Sequence, residues 1–294
     1  MSEPRVRRSE LRAALDTYLE ALARRAPREL NVTGGFRLTE NGQALELGDG
    51  LWGTANALGR YRHYVLDAAA GQAGFVGVVR ENDKPVILAL RLKLASRGLA
   101  EAEMIVAREE ILFYRGGTEA LEAMGAPDPL WEEPLALAER ASRAELEGIA
   151  NAYFSALERN DGTRLPAFAP GCRRFDNGVL ATGNASLDKP GESPLYALGP
   201  GEQLSLGYFN FVTAVRDRRI PLIDEQTGVV FSLPFLDHAG TVHEVRLTDG
   251  RRVPIGVKQP FTWQCAELFK IKRRQIAQIE VVLTKVPYRM RPNW

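Results

Sequence analysis

The sequence predicts an α+β protein made of one domain written twice, and two observations carry that expectation. First, Arg62-His63-Tyr64-Val65-Leu66-Asp67, followed by Gly71, returns at one constant displacement as Arg219-Ile220-Pro221-Leu222-Ile223-Asp224, followed by Gly228. A repeat of this length is a domain rather than a solenoid unit, and each copy is long enough to bury its own core. Second, each copy opens with a helical period and closes with long alternating runs, an α+β plan in which a bent antiparallel sheet wraps its helices.

The elements follow in order. Leu11, Leu15, Tyr18, Leu19 and Leu22 recur at helical steps with Ser9 placed as a cap, and Ile149, Tyr153, Phe154 and Leu157 repeat the pattern. A strand with a turn at Asn41-Gly42, or at Asn177-Gly178, comes next. Shorter helices are expected around Trp52 to Leu58 and Leu204 to Val215. Residues 88–94 and 99–106 read as one hairpin, and 261–271 and 276–283 as its copy. The expected organisation is a first domain over 1–115, a linker over 116–143 carrying Pro127, Pro129 and Pro134, and a second domain over 144–294 with an inserted loop near 235–260.

Composition narrows the function classes. The chain has 294 residues, 45% hydrophobic and 26% charged, with a net charge of +1. That balance argues against nucleic acid as a partner. No apolar run reaches the length of a membrane span, and the charged start, Met1 to Arg8, reads as cytoplasmic rather than as a signal peptide. Cys172 and Cys265 have no metal or redox spacing, and His63, His238 and His243 are scattered, so no metal is expected. Dinucleotide, P-loop and nucleophile-elbow motifs are absent from the sequence, so no cofactor is expected either.

Differences between the copies mark candidate site residues. On the run from Phe261 to Ile271, Phe261, Trp263, Cys265, Glu267, Phe269 and Ile271 share one face, and the position of Glu267 is held by Leu90 in the first copy. A carboxylate among aromatic residues is either a catalytic acid or base, its charged form disfavoured by desolvation, or one member of an ion pair. Tyr61 and His63 share a face with Val65 and Asp67, and the second copy has Arg218, Ile220, Leu222 and Asp224 there. The apolar pair Ile220 and Leu222 turns that face inward, which places His63 and Tyr61 in a first pocket, where His63 is either a proton carrier or a structural histidine. Asp67 and Asp224 read as caps of the glycine turns. Arg62 and Arg219, Lys93 and Lys270, and Glu103 and Glu280 are polar in both copies and are expected to point away from the pockets. Solvent, the other half of the chain, or a second chain in a homo-oligomer are the partners open to them. The insertion, with His238, His243 and Lys258, reads as a lid or as an ordinary surface hairpin.

The helix, the acid-Asn-Gly turn and the long hairpins resemble the nuclear transport factor 2-like (SnoaL-like) superfamily. That resemblance implies two tandem cone-shaped α+β barrels, each a curved antiparallel sheet closed around a pocket. It also implies that the short second helix, with Trp52 in one copy and Tyr208, Asn210 and Phe211 in the other, lines a cone mouth; Trp263 and Phe269 on the face of Glu267, Tyr61 on the face of His63, and Arg218 read as further substrate-binding residues. The segment Arg218 to Gly228 is also similar to two-domain fungal and bacterial proteins of mostly unknown role. Within the superfamily the chain resembles the sphingomonad formaldehyde lyases of lignin-derived diaryl diols. The activity so implied is a cofactor-independent lyase for a small apolar aromatic substrate, with Glu267 and His63 as catalytic residues giving a stilbene. A hydrolase or isomerase of the superfamily, and a non-catalytic aromatic-ligand-binding protein, are the alternatives.

Overall fold

The computed structural model describes residues 6–108, 115–188, 195–256 and 258–294, so the first five residues of the charged start lie outside it. The first half runs α1 (Arg8–Arg24), β1 (Val32–Glu40), β2 (Gln43–Leu45), α2 (Leu51–Thr54), β3 (Ala55–Asp67), β4 (Gln72–Glu81), β5 (Lys84–Ala95) and β6 (Gly98–Arg108). After α3 (Gly117–Met124), the second half repeats the order as α4 (Arg143–Arg159), β7 (Phe168–Asp176), β8 (Val179–Leu180), α5 (Pro200–Ser205), β9 (Ala214–Asp224) and β10 (Val229–His238). A small hairpin, β11 (Glu244–Arg246) and β12 (Arg252–Pro254), is inserted before β13 (Phe261–Lys272) and β14 (Gln275–Val286). No helix among the described residues is long and apolar enough to cross a membrane.

Each half forms a six-stranded curved sheet, ordered β2-β1-β6-β5-β4-β3 and β8-β7-β14-β13-β10-β9. The sheets are mixed rather than purely antiparallel, because β1 pairs β6 and β7 pairs β14 in parallel. Register shifts within β3 and β9 mark bulges, which bend a strand and raise its twist. The hairpins β5–β6 and β13–β14 close where the alternation placed them, Ala95 opposite Gly98 and Lys272 opposite Gln275. The Asn-Gly turns follow β1 and β7, with positive φ at Asn41, Gly42, Asn177 and Gly178.

Three local expectations are corrected. Ser9 lies inside α1, and the start of the helix is capped instead by the Glu10 carboxylate, which accepts from Arg7 N at 2.8 Å. Strand β3 already begins at Ala55, so the first short helix ends at Thr54. In the second half α5 stops at Ser205 because Gly207 turns the chain at φ +67°, where a Cβ would meet the Asn160 carbonyl at 2.6 Å.

The inner face of each sheet packs on its helix: Leu11, Leu15, Tyr18 and Leu19 of α1 join Phe75, Leu88 and Leu90 in one core, and Tyr153, Phe154 and Leu157 of α4 join Cys265, Phe269 and Ile279 in another. The outer faces pack on each other. Val65, Val76, Ile87 and Ile105 of one sheet meet Leu222, Phe231, Leu268 and Val282 of the other, with Leu121 and Trp131 from the connecting segment covering the seam. Of the repeated charges, Arg219, Lys270, Glu103 and Glu280 belong to this seam, whereas Arg62 and Lys93 are exposed. Glu103 pairs with Arg219 of the other half and with Arg91, and Lys270 donates to the carbonyls of Thr227 and Glu133 at 2.6 and 3.2 Å. Asp67 and Asp224 do cap their turns, accepting from Ala70 N and Gln226 N, and each also bonds across the seam.

Candidate functional site

Strand register bears out the alignment of the copies in the row that contains Glu267. Across the first sheet Glu40, Met104, Leu90 and Phe75 lie in one row, and across the second Asp176, Val281, Glu267 and Ser232 do. In the first half Leu90 is one of a set of fully buried side chains, with Tyr18, Trp52, Phe75 and Met104, that fills the interior. In the second half the same place opens into a cavity of about 120 Å³, lined by Tyr153, Arg174, Asp176, Tyr208, Phe211, His238, Trp263 and Glu267 among others.

Glu267 is 3% exposed, and burial pushes its carboxyl up to about 8, with Asp176 acting in the same direction and Arg174 and the Tyr153 hydroxyl opposing. Arg174 is placed by β7: its backbone N–H donates to Thr182 Oγ1 at 2.8 Å and its Nε donates to Asp176 at 3.1 Å. Tyr153, one helical face above, is held edge-on by Phe269 with ring centroids 5.0 Å apart, and burial beside Glu267 raises its hydroxyl well above 10. The deep end of the cavity therefore has a carboxyl that is protonated at neutral pH, a hydroxyl, and an Arg-Asp pair. Cys265, also on this wall, is buried with its thiol pushed up, so it is not poised as a nucleophile.

The mouth is aromatic. Tyr208 and Phe211 meet with centroids 5.7 Å apart, Phe211 lies 5.5 Å from His238, and His238 stacks on Phe261 at 4.5 Å and 10°. The inserted hairpin supports this rim: Val245, Leu247, Val253 and Ile255 form a small core with Leu195, against which Tyr208 and Phe211 pack. Insertion residue His243 is exposed, as is Lys258, whereas His238 is the last residue of β10, 2% exposed, with its imidazole held neutral because burial lowers it to about 4.

A model of a domain of unknown function, DUF8021, matches residues 139–283, a span that contains the whole cavity wall. No curated protein matches the chain. Among solved structures, a de novo designed protein with a curved β-sheet aligns at 10% identity over 40% of this chain and 99% of its own, with a TM-score of 0.29. AclR, a putative hydroxylase from Streptomyces galilaeus, aligns at 14% identity over 51% and 93%, with a TM-score of 0.30.

Of the residues singled out in the sequence, Glu267, Trp263, Cys265, Tyr208 and His238 line the cavity, and Phe269 stands behind it as the support of Tyr153. The others lie elsewhere. Asn210 is exposed, and Arg218 is engaged by Ser155 and Glu158 of α4 at 2.8 and 2.7 Å. Trp52 is sealed in the first core, its indole N–H donating to Tyr18 at 2.8 Å. Tyr61 and His63 do not face a first pocket. They face the seam, where Glu280 of the other half accepts from the Tyr61 hydroxyl at 3.0 Å and contacts His63 Nδ1 at 2.6 Å, and the imidazole packs on Trp131 at 4.6 Å.

The cause is a bulge. Arg219 pairs with Leu233 and Leu222 with Phe231, three residues of β9 against two of β10, so alternation breaks at Pro221, leaving Ile220 toward the second core and Leu222 toward the seam. Arg174 and Asp176 join the site from β7, and the repeat contains the signal for one of them: the first copy has buried Leu38 where the second has Arg174, by the same register.

Proposed function

We propose that the second half is a cofactor-independent acid–base enzyme acting on a small, largely apolar aromatic molecule, with Glu267 as its proton carrier. The observation that carries this reading is a glutamate 3% exposed on the wall of a cavity lined by aromatic rings, where burial pushes its carboxyl up. Tyr153 and Arg174 position that proton, and the aromatic rim excludes water. In this reading each half is a SnoaL-like cone, and the first is a filled, structural copy, since Leu90 and its neighbours occupy the space that the substrate would take.

The reaction favoured by the resemblance to formaldehyde lyases is dehydration followed by carbon–carbon cleavage. Glu267 donates its proton to a benzylic hydroxyl, and the C–O bond breaks with loss of water as the phenol, its proton passing to solvent, pushes an electron pair through the ring to form a quinone methide. The terminal hydroxyl of the substrate then gives its proton to the Glu267 carboxylate, its C–C bond breaks to release formaldehyde, and the freed electron pair restores the aromatic ring as a phenolate, which takes a proton from solvent to give the stilbene. His63, remote from the cavity, has no part in this scheme. The test is incubation with a panel of lignin-type diaryl diols, following formaldehyde and stilbene absorbance, with Glu267→Gln as the control. Turnover that Glu267→Gln abolishes supports the reading, and turnover that survives Glu267→Gln overturns it. Binding of the aromatic panel without any product would favour a carrier protein.

A further inference from the structure

His238 is buried to 2% exposure on the wall of the cavity, yet neither of its ring nitrogens has a hydrogen-bond partner among the described residues. The imidazole stacks on Phe261 at 4.5 Å and 10°, Phe211 lies tilted at 5.5 Å and 33°, and Trp263 meets it edge-on at 6.2 Å. Only the edge of the ring, with its nitrogens, is left to meet a polar group. Its neighbour Asp237 does not serve, being turned away to Arg216 and Thr262. A buried polar group without a partner is costly, so such a site is built for an incoming partner.

The chemistry of that partner follows from the ring. A neutral imidazole has one donor and one acceptor, and a hydroxyl can satisfy either nitrogen whichever tautomer is present. Its position sets the shape of the ligand. His238 pairs with Phe261, six residues along β13 from Glu267, which is roughly 20 Å of strand at about 3.3 Å per residue. The cavity wall thus carries Glu267 and His238 at separated places along the strands, with Trp263 and Cys265 between them.

We propose that His238 is a specificity-determining residue that binds a hydroxyl, phenolic in an aromatic ligand, at the mouth of the cavity while the other end of an elongated ligand points to Glu267. This rests on the location of the ligand site in the second half but requires no turnover, so it stands or falls separately from the acid–base reading. The probes are 4-phenylphenol, 4-methoxybiphenyl and biphenyl, titrated into the whole chain with tryptophan fluorescence as the readout. The expected result is that 4-phenylphenol binds about tenfold more tightly than biphenyl, the equivalent of one net hydrogen bond of about 1.4 kcal/mol, and that His238→Phe brings the ratio to about one. Because the chain has three histidines, the imidazole ¹⁵N signals of the unsubstituted protein provide a second measurement, with 4-phenylphenol expected to shift those of His238. Equal affinities for the three probes, an unchanged ratio in His238→Phe, or ¹⁵N signals that do not move at saturation would each overturn the proposal.

Discussion

Glu267 and Leu90 occupy the same position of two superimposable strand registers, one opposite Ser232 and Val281, the other opposite Phe75 and Met104. The second half thus keeps a buried acid where the first half has a leucine. An acid whose carboxyl is raised from 4.5 to about 8 on folding binds more protons in the folded state, so stability falls as the pH rises between those values. The slope is about 1.4 kcal/mol per pH unit within that window. Glu267→Leu is expected to remove the slope and to raise stability at pH 9 by roughly 1–3 kcal/mol while abolishing function, measured by urea denaturation at pH 5, 7 and 9. A variant less stable than the parent at pH 9 would contradict it.

Neighbouring groups should move the Glu267 titration in opposite directions. Asp176 opposes its ionisation and Tyr153 assists it, so Asp176→Asn is expected to lower the midpoint and Tyr153→Phe to raise it. The check is the alkaline limb of the pH–rate profile, or a carboxyl titration where no turnover is available. Two shifts of the same sign would show that the cavity charges are not arranged as described.

The halves are clasped reciprocally. Arg8 of the first helix donates to the Leu66 carbonyl of its own half and to Asp224 of the other, and Arg143 of the second helix bonds the Ile223 carbonyl of its own half and Asp67 of the other. Asp67→Ala and Asp224→Ala should each cost about 2–4 kcal/mol, because a nearly buried carboxylate with several donors is lost. Arg8→Ala and Arg143→Ala, with side chains 35% and 37% exposed, should cost about 1 kcal/mol or less. Chemical denaturation of the four variants tests the symmetry, and unequal costs for the two aspartates would refute it.

His63 is expected to be structural. His63→Gln leaves Glu280 and the ring of Trp131 with a poorer partner at the seam, and should cost about 1–3 kcal/mol with ligand binding and turnover unchanged. Loss of turnover without loss of stability would return His63 to the chemistry.

The sequence contained the repeat, the hairpins, the Asn-Gly turns and the contrast between Glu267 and Leu90, because each is a local pattern or a comparison of two aligned positions. It could not tell the two apolar faces of a strand apart. Ile220 and Leu222 are apolar for different reasons, one packing on the second core and one on the other sheet, and the bulge that separates them leaves no periodic trace. His238 was hidden for another reason. It adjoins an insertion, so its sequence context is that of a loop, whereas its function as a wall residue comes from its pairing with Phe261. Arg174 was legible by the same comparison that found Glu267, since Leu38 stands in its place.

The most direct measurement is a pH titration of the Glu267 side-chain carboxyl by ¹³C NMR, assigned with Glu267→Gln. The expected midpoint is about 8, with the carboxyl protonated at neutral pH. A midpoint between 4 and 5, the range of an ordinary glutamate, would contradict the buried acid on which the proposed chemistry rests.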